Sequence, residues 1–156
     1  PFLDRAAMHR LYAGDLVLDY AAVHDACYGS PRDPVERALS AGKNVLFDID
    51  WQGAQRISAK APGDVVRVFI LPPSMAELNR RLVVRAQDDE DVINRRIGRA
   101  KSEISHWAEY DYIILNDDFD RSYAELVQIY HAELSRLARG LWIPPCVDEL
   151  MTGTVG

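Results

Sequence analysis

Asn44-Val45-Leu46-Phe47-Asp48-Ile49-Asp50-Trp51-Gln52-Gly53-Ala54 is the stretch that decides the fold. It opens as a short apolar run and stops on two carboxylates. An apolar run without clean alternation suits a strand of a buried, parallel sheet. A short helix is predicted directly after it, over Trp51–Ala59. Side chains two apart on a strand point the same way, so Asp48 and Asp50 share one site. That site lies at the carboxyl end of the strand, where open α/β sheets bind ligands. Two readings fit the pair. An acid after an apolar strand holds Mg²⁺, directly or through water, in phosphoryl-transfer enzymes. Alternatively, Asp50 caps the following helix and Asp48 is a solvated acid.

Working downstream, Val65–Leu71 is a predicted strand cut by Pro72-Pro73. Ser74 and Glu77 form a capping-box pattern, so a helix runs from there to about Val84. Residues 86–91 are polar and expected to be exposed, and a second helix covers Glu90–Trp107. Tyr112–Leu115 is a strand ending at Asn116-Asp117-Asp118. A final helix over Arg121–Arg139 carries Tyr123, Leu126, Val127, Tyr130, Leu134 and Leu137 at helical spacing, which predicts a core-facing stripe. The tail, residues 140–156, has no clear period.

Upstream, Asp33 and Pro34 open a helix that stops at Gly42. Cys27-Tyr28-Gly29-Ser30-Pro31 is turn chemistry. Leu16–Val23 reads as a strand. Arg5–Ala13 reads as a helix capped by Asp4 and closed by Gly14. Strands alternating with helices predict an α/β layered fold with a largely parallel sheet flanked by helices.

The chain has 156 residues, 48% of them hydrophobic, which suffices for one domain with its own core. A net charge of −6 argues against sequence-independent nucleic-acid binding. No apolar run approaches the length of a membrane span. Cys27 and Cys146 form no CxxC pair, which disfavours a zinc site or disulfide framework and fits a reducing, cytoplasmic setting. His9, His24, His106 and His131 show no metal spacing.

Two further constellations carry chemistry. Arg80, Arg81, Arg85, Arg95, Arg96, Arg99 and Lys101 crowd two helices joined by the acidic loop. Arg81 and Arg85 share a helix face. Guanidiniums on a helical hairpin suit a transferring phosphoryl group, and such a hairpin can close over substrate. Taken in isolation, the cluster reads rather as a solvated face paired with Asp88, Asp89, Glu90 and Asp91. Asp19 interrupts an apolar strand and needs a partner if buried. Its carboxylate can accept the N1 and N2 hydrogens of guanine, with Ser30 donating to the base carbonyl and Tyr28 to phosphate. The plain alternative is an edge strand with an outward acid followed by an ordinary turn.

These blocks, in this order, resemble bacterial guanylate kinase from Phe2 to about Arg139. The likeness rests on Tyr28-Gly29-Ser30-Pro31, on the Val45–Ala54 run, on Val68-Phe69-Ile70-Leu71-Pro72-Pro73-Ser74, on the arginine-spaced hairpin, and on Tyr110-Asp111-Tyr112-Ile113-Ile114-Leu115-Asn116-Asp117-Asp118. The resemblance implies a P-loop nucleoside monophosphate kinase fold that transfers the γ-phosphoryl of ATP to GMP with Mg²⁺. It implies GMP binding by Asp19, Tyr28, Ser30 and Asp50, and Mg²⁺ at Asp48. Arg81, Arg85, Arg96 and Asp48 would be catalytic, and Asn116 and Arg85 would meet ATP. Residues 1–32 would belong to the GMP-binding subdomain, 81–96 to a lid, 33–80 and 97–139 to the core, and 140–156 to a tail. GMP and ATP are the expected partners, without nucleic acid or membrane, and a homo-oligomer is compatible with the sequence.

Three departures qualify the likeness. Asp19 stands where the family has glutamate, one methylene longer. Val84-Arg85-Ala86 replaces Gly-Arg-Gly, which should stiffen the lid tip. No GxxxxGK[ST] is present, and Gly42-Lys43 follows Arg37 and precedes Asn44 where the motif needs Gly and Ser or Thr. The family carries that loop, with its first strand and helix, upstream of the matching region. The chain is therefore expected to be an incomplete portion of a longer enzyme, inactive and marginally stable on its own. A rival reading is a catalytically dead domain that binds phosphorylated peptides or proteins in the GMP cleft. A kinase for another monophosphate is disfavoured by Asp19 with Ser30, because adenine has no carbonyl and no N1–H.

Overall fold

A computed structural model describes residues 5–23, 26–85, 90–140 and 143–153, giving the backbone alone for 5, 21–23, 26–28, 85 and 90–96. The chain divides into two compact units, Pro1–Val65 and Val66–Gly156.

The first unit is built on a hairpin. Helix α1 (Arg5–Ala13) ends at Gly14, whose N–H donates to the Arg10 carbonyl. Asp15 takes a left-handed φ of 59° and turns the chain into β1 (Val17–Val23). β1 pairs antiparallel with β2 (Ala26–Pro31), with a register shift between Val17 and Asp19. The stretch read as turn chemistry is therefore a strand. Gly29 and Ser30 sit opposite Tyr20 and Asp19, and the ladder outweighs their local turn preference. Buried Met8 and Val17 form the unit's core with Leu11, Tyr12 and Tyr20, and a Cβ on Gly29 would stand 2.9 Å from the Met8 sulfur.

Helix α2 (Arg32–Ser40) begins two residues earlier than expected, with Pro31 rather than Asp33 at its N-cap. It ends before Gly42, which holds a φ of 71°. Residues 44–50, predicted as a strand, belong to no ladder among the described residues. Exposure nevertheless alternates along them. Val45, Phe47 and Ile49 are half-buried, whereas Leu46, Asp48 and Asp50 are exposed. That period of two is the geometry of an extended segment. Helix α3 (Trp51–Lys60) follows as expected and packs on β1.

In the second unit, β3 (Val68–Leu71) and β4 (Tyr112–Leu115) pair in parallel. Between them run α4 (Met75–Arg85) and α5 (Glu90–Ile104), which pack together, and a 3₁₀ turn at Trp107–Glu109 where the second helix was predicted to continue. The expected exposure of residues 86–91 falls on side chains outside those described. Helix α6 (Phe119–Leu134) packs on β4. Its contact face keeps only the middle of the predicted stripe, Leu126 and Val127, which are half-buried. Tyr123, Tyr130, Leu134 and Leu137 are exposed, whereas Ser122 and Glu133 are buried. The inward row is Ser122, Leu126, Val127, Ile129 and Glu133, so it departs from the apolar pattern by one residue at positions 122, 129 and 133. The polar ends of that row have partners. Ser122 Oγ donates to the Leu115 carbonyl at 3.4 Å, and Glu133 accepts from the Tyr112 hydroxyl at 2.7 Å. The tail, read as aperiodic, contains α7 (Ile143–Thr152).

Arg67 and Asp111 tie the loops that lead into β3 and β4. Asp111 accepts from the Arg67 backbone N–H at 2.8 Å and takes the guanidinium on both oxygens. The guanidinium holds the Asp111 carboxyl below its ordinary value of 3.8. Charge-dependent stability from this pair is therefore full above about pH 4 and drains as pH falls through the lowered value. Asp111→Asn is expected to cost about 1 kcal/mol at pH 6, since the pair is partly screened, and less at pH 3. Urea midpoints at the two pH values check this. A midpoint equal to wild type at pH 6 would refute it.

Candidate functional site

In the first unit, α3 organises the acids. Asp50 is its N-cap, with extended backbone (φ −75°, ψ 173°), and its Oδ1 accepts from the Gly53 N–H at 2.8 Å. This is the plain reading of Asp50, and among the described residues no bond to its second oxygen accompanies it. Asp48 is exposed on the same side of the extended segment, and no described residue takes its carboxylate. The i, i+2 spacing thus presents both acids together.

Asp19 lies directly opposite Ser30 in the β1–β2 register. Opposed residues share a face, with Cβ atoms about 5 Å apart. Ser30 is half-buried and Asp19 is buried, 5% exposed. The partner that a buried carboxylate requires is Arg56 on α3. Its Nε donates to Asp19 Oδ1 at 2.7 Å, and its Nη2 donates to the Tyr20 carbonyl at 2.8 Å. Its guanidinium carbon lies 5.2 Å from the Tyr20 ring centroid. Asp19 Oδ2 abuts Gly53, where a Cβ would come within 2.8 Å of it. Asp19 and Asp50 therefore both meet the first turn of α3 at Gly53, and Ser30 stands across the ladder from Asp19. Tyr28 is on β2 opposite Ala21, and its side chain lies outside those described.

The second unit holds the cations. Ser74 Oγ caps α4 by accepting from the Glu77 N–H at 3.0 Å. The reciprocal half of the capping box gives way to ion pairing. Glu77 accepts from Arg80 and, at 2.7 Å, from Arg81 Nε. Hydrogen bonds from Arg80 and then Arg81 lower the Glu77 carboxyl to about 2. Arg81 Nη1 donates to the Asn116 carbonyl at 3.0 Å, and the Asn116 N–H donates to the Leu71 carbonyl at 2.7 Å. Arg81 and Asn116 are thus one hydrogen-bonded pair at the carboxyl ends of β3 and β4. Arg85 closes α4 and Arg96 lies within α5, with side chains outside those described. Arg56, Gly53 and Glu77 stand at these sites without having been predicted as functional residues. Only the demand of Asp19 for a partner hinted at the first.

No described helix is long and apolar enough to cross a membrane. No described cluster of three or more His, Cys, Asp or Glu could hold a metal by itself. Mg²⁺ does not require one, because it binds through one or two carboxylates plus substrate phosphates and water. Two exposed acids at i, i+2 fit that donor set.

The family model described as Guanylate kinase matches residues 1–133. Among curated relatives, a Guanylate kinase of Caulobacter vibrioides is 51% identical over 150 residues, covering 96% of this chain and 70% of the relative. One from Nitrobacter hamburgensis is 51% identical over 149 residues, covering 96% and 68%. The crystal structure of guanylate kinase from Anaplasma phagocytophilum superposes with a TM-score of 0.78 at 31% identity, covering 97% of this chain and 74% of that one.

Proposed function

Because the chain belongs to the guanylate kinase family, we propose that the protein binds GMP and transfers the γ-phosphoryl group of ATP to it, giving GDP and ADP. The observation that carries this reading is the cross-strand pair of Asp19 and Ser30. An acid that accepts two N–H groups beside a hydroxyl that donates to a carbonyl complements the edge of guanine and mismatches that of adenine. Tyr28 and Asp50 complete the GMP contacts in this proposal. Asp48, with Asp50 beside it, would hold Mg²⁺. When bound, the ion neutralises charge developing on the transferred phosphoryl group. Arg81, Arg85 and Arg96 meet the phosphates, with residues 81–96 as the lid, and Asn116 and Arg85 face ATP. Support for Arg81 is its fixed, half-buried guanidinium.

The test is steady-state turnover by the full-length protein with ATP and Mg²⁺, offered GMP or AMP. GMP is expected to be preferred by at least about 10²-fold, and Ser30→Ala to raise the GMP KM about tenfold. Equal use of the two monophosphates would refute the reading. Absence of turnover, with phosphopeptide binding in its place, would favour a binding domain.

A further inference from the structure

The Asp19 carboxylate is held almost out of solvent by a partner from another element. Its side chain is 7% exposed, and α3 rather than its own hairpin supplies its partner. The Arg56 guanidinium has little freedom to move. Nε bonds Asp19, Nη2 bonds the backbone of the next residue on the same strand, and the guanidinium lies over the ring of that residue. Three contacts to two consecutive β1 residues fix the guanidinium, and the guanidinium fixes the carboxylate. On the other side, Gly53 closes against Asp19 Oδ2. A carboxylate offers about four lone-pair directions, and Arg56 Nε uses one. By lone-pair count, and among the described residues, that leaves acceptor capacity for two N–H donors, in the orientation that Arg56 sets. An aspartate, shorter by a methylene than the glutamate usual in the family, has little reach with which to correct a wrong angle.

We infer that Arg56 is the positioning residue of the guanine site, aiming the Asp19 carboxylate at the base without touching substrate. This rests on the reading of Asp19 proposed above. Arginine suits the role better than lysine, because one planar fork reaches a carboxylate and a main-chain carbonyl at once.

The experiment uses the full-length protein as wild type, Arg56→Gln, Arg56→Lys and Asp19→Asn. KM and kcat are measured for GMP, for ATP, and for IMP, which lacks the 2-amino group. Arg56→Gln is expected to raise the GMP KM about tenfold and shrink the preference for GMP over IMP, with kcat within about threefold and the ATP KM unchanged. Arg56→Lys should fall between Arg56→Gln and wild type. A general loss of structure would not move the GMP terms alone. If Asp19→Asn raises the GMP KM while folded Arg56→Gln leaves both GMP terms at wild-type values, the inference is overturned and the role of Asp19 stands. If Arg56→Gln does not fold, Arg56→Lys decides, and wild-type GMP KM and IMP discrimination in it overturn the inference. If Asp19→Asn leaves GMP binding and preference untouched, both readings fall together.

Discussion

Replacing Arg81 with alanine is expected to lower kcat with GMP and ATP by about 10²–10³-fold, the loss typical of a preorganised donor aimed at developing charge. The expectation follows from how the guanidinium is held. Glu77 takes Nε and the Asn116 carbonyl takes Nη1, while Nη2 has no partner among the described residues. A group held on two sides with a donor to spare needs no reorganisation when a phosphoryl group arrives. Stability should change little, because the Arg81–Glu77 pair is partly exposed, at 37% and 23%. Arg81→Lys should keep the charge but recover only part of the rate, since a point charge cannot make both bonds. Glu77 also bears on pH. Its lowered carboxyl, at about 2, keeps the anchor charged across any working range, and the anchor weakens only as pH falls from the ordinary 4.5 through about 2. Any acid-side loss of activity above pH 5 must therefore come from groups other than Glu77. An Arg81→Ala enzyme within threefold of wild-type kcat would remove Arg81 from the proposed phosphate contacts.

Local signals were legible where local physics decides. Trp51–Lys60 follows an Asp cap, and Tyr112–Leu115 is a short apolar run between turn residues, so both elements lie where the pattern put them. The misplaced elements depend on distant partners. Ala26–Pro31 carries turn residues yet is a strand, because β1 supplies a ladder. Residues 44–50 have strand composition and alternating exposure yet no ladder among the described residues. Helix α6 keeps Leu126 and Val127 inward but turns Ser122 and Glu133 in with them, where they bond groups on β4. An apolar pattern assigns no weight to such polar residues. The site divides in the same way. The i, i+2 spacing of Asp48 and Asp50 was readable. The Asp19–Arg56 pair spans 37 residues and joins a strand to a helix, so spacing alone gave no sign of it.

The sign of a glycine substitution offers a sharper test of that packing. In an open helix, Gly→Ala stabilises by about 0.5–1 kcal/mol, because alanine loses less conformational freedom. Gly98, exposed on α5 with nothing within 4 Å of an added Cβ, should behave that way. Gly53 should do the opposite. A Cβ there would stand 2.8 Å from Asp19 Oδ2, 3.1 Å from Asp19 Cγ and 3.1 Å from Ile49 Cβ. None of these can yield cheaply. Ile49 Cβ is rooted in the backbone just before the cap, the carboxylate is pinned by Arg56, and the Gly53 N–H is tied to Asp50. Overpacking of this kind costs about 1–3 kcal/mol, which exceeds the helix-propensity gain. Gly53→Ala is thus expected to lower Tm by a few degrees and Gly98→Ala to raise it slightly. Since relief comes most readily by pushing Asp19 off its mark, the GMP KM of Gly53→Ala should rise about tenfold while the ATP KM holds. A Gly53→Ala protein that melts above wild type and binds GMP normally would mean that α3 does not close on β1 as described, and the cradle around Asp19 would be lost with it.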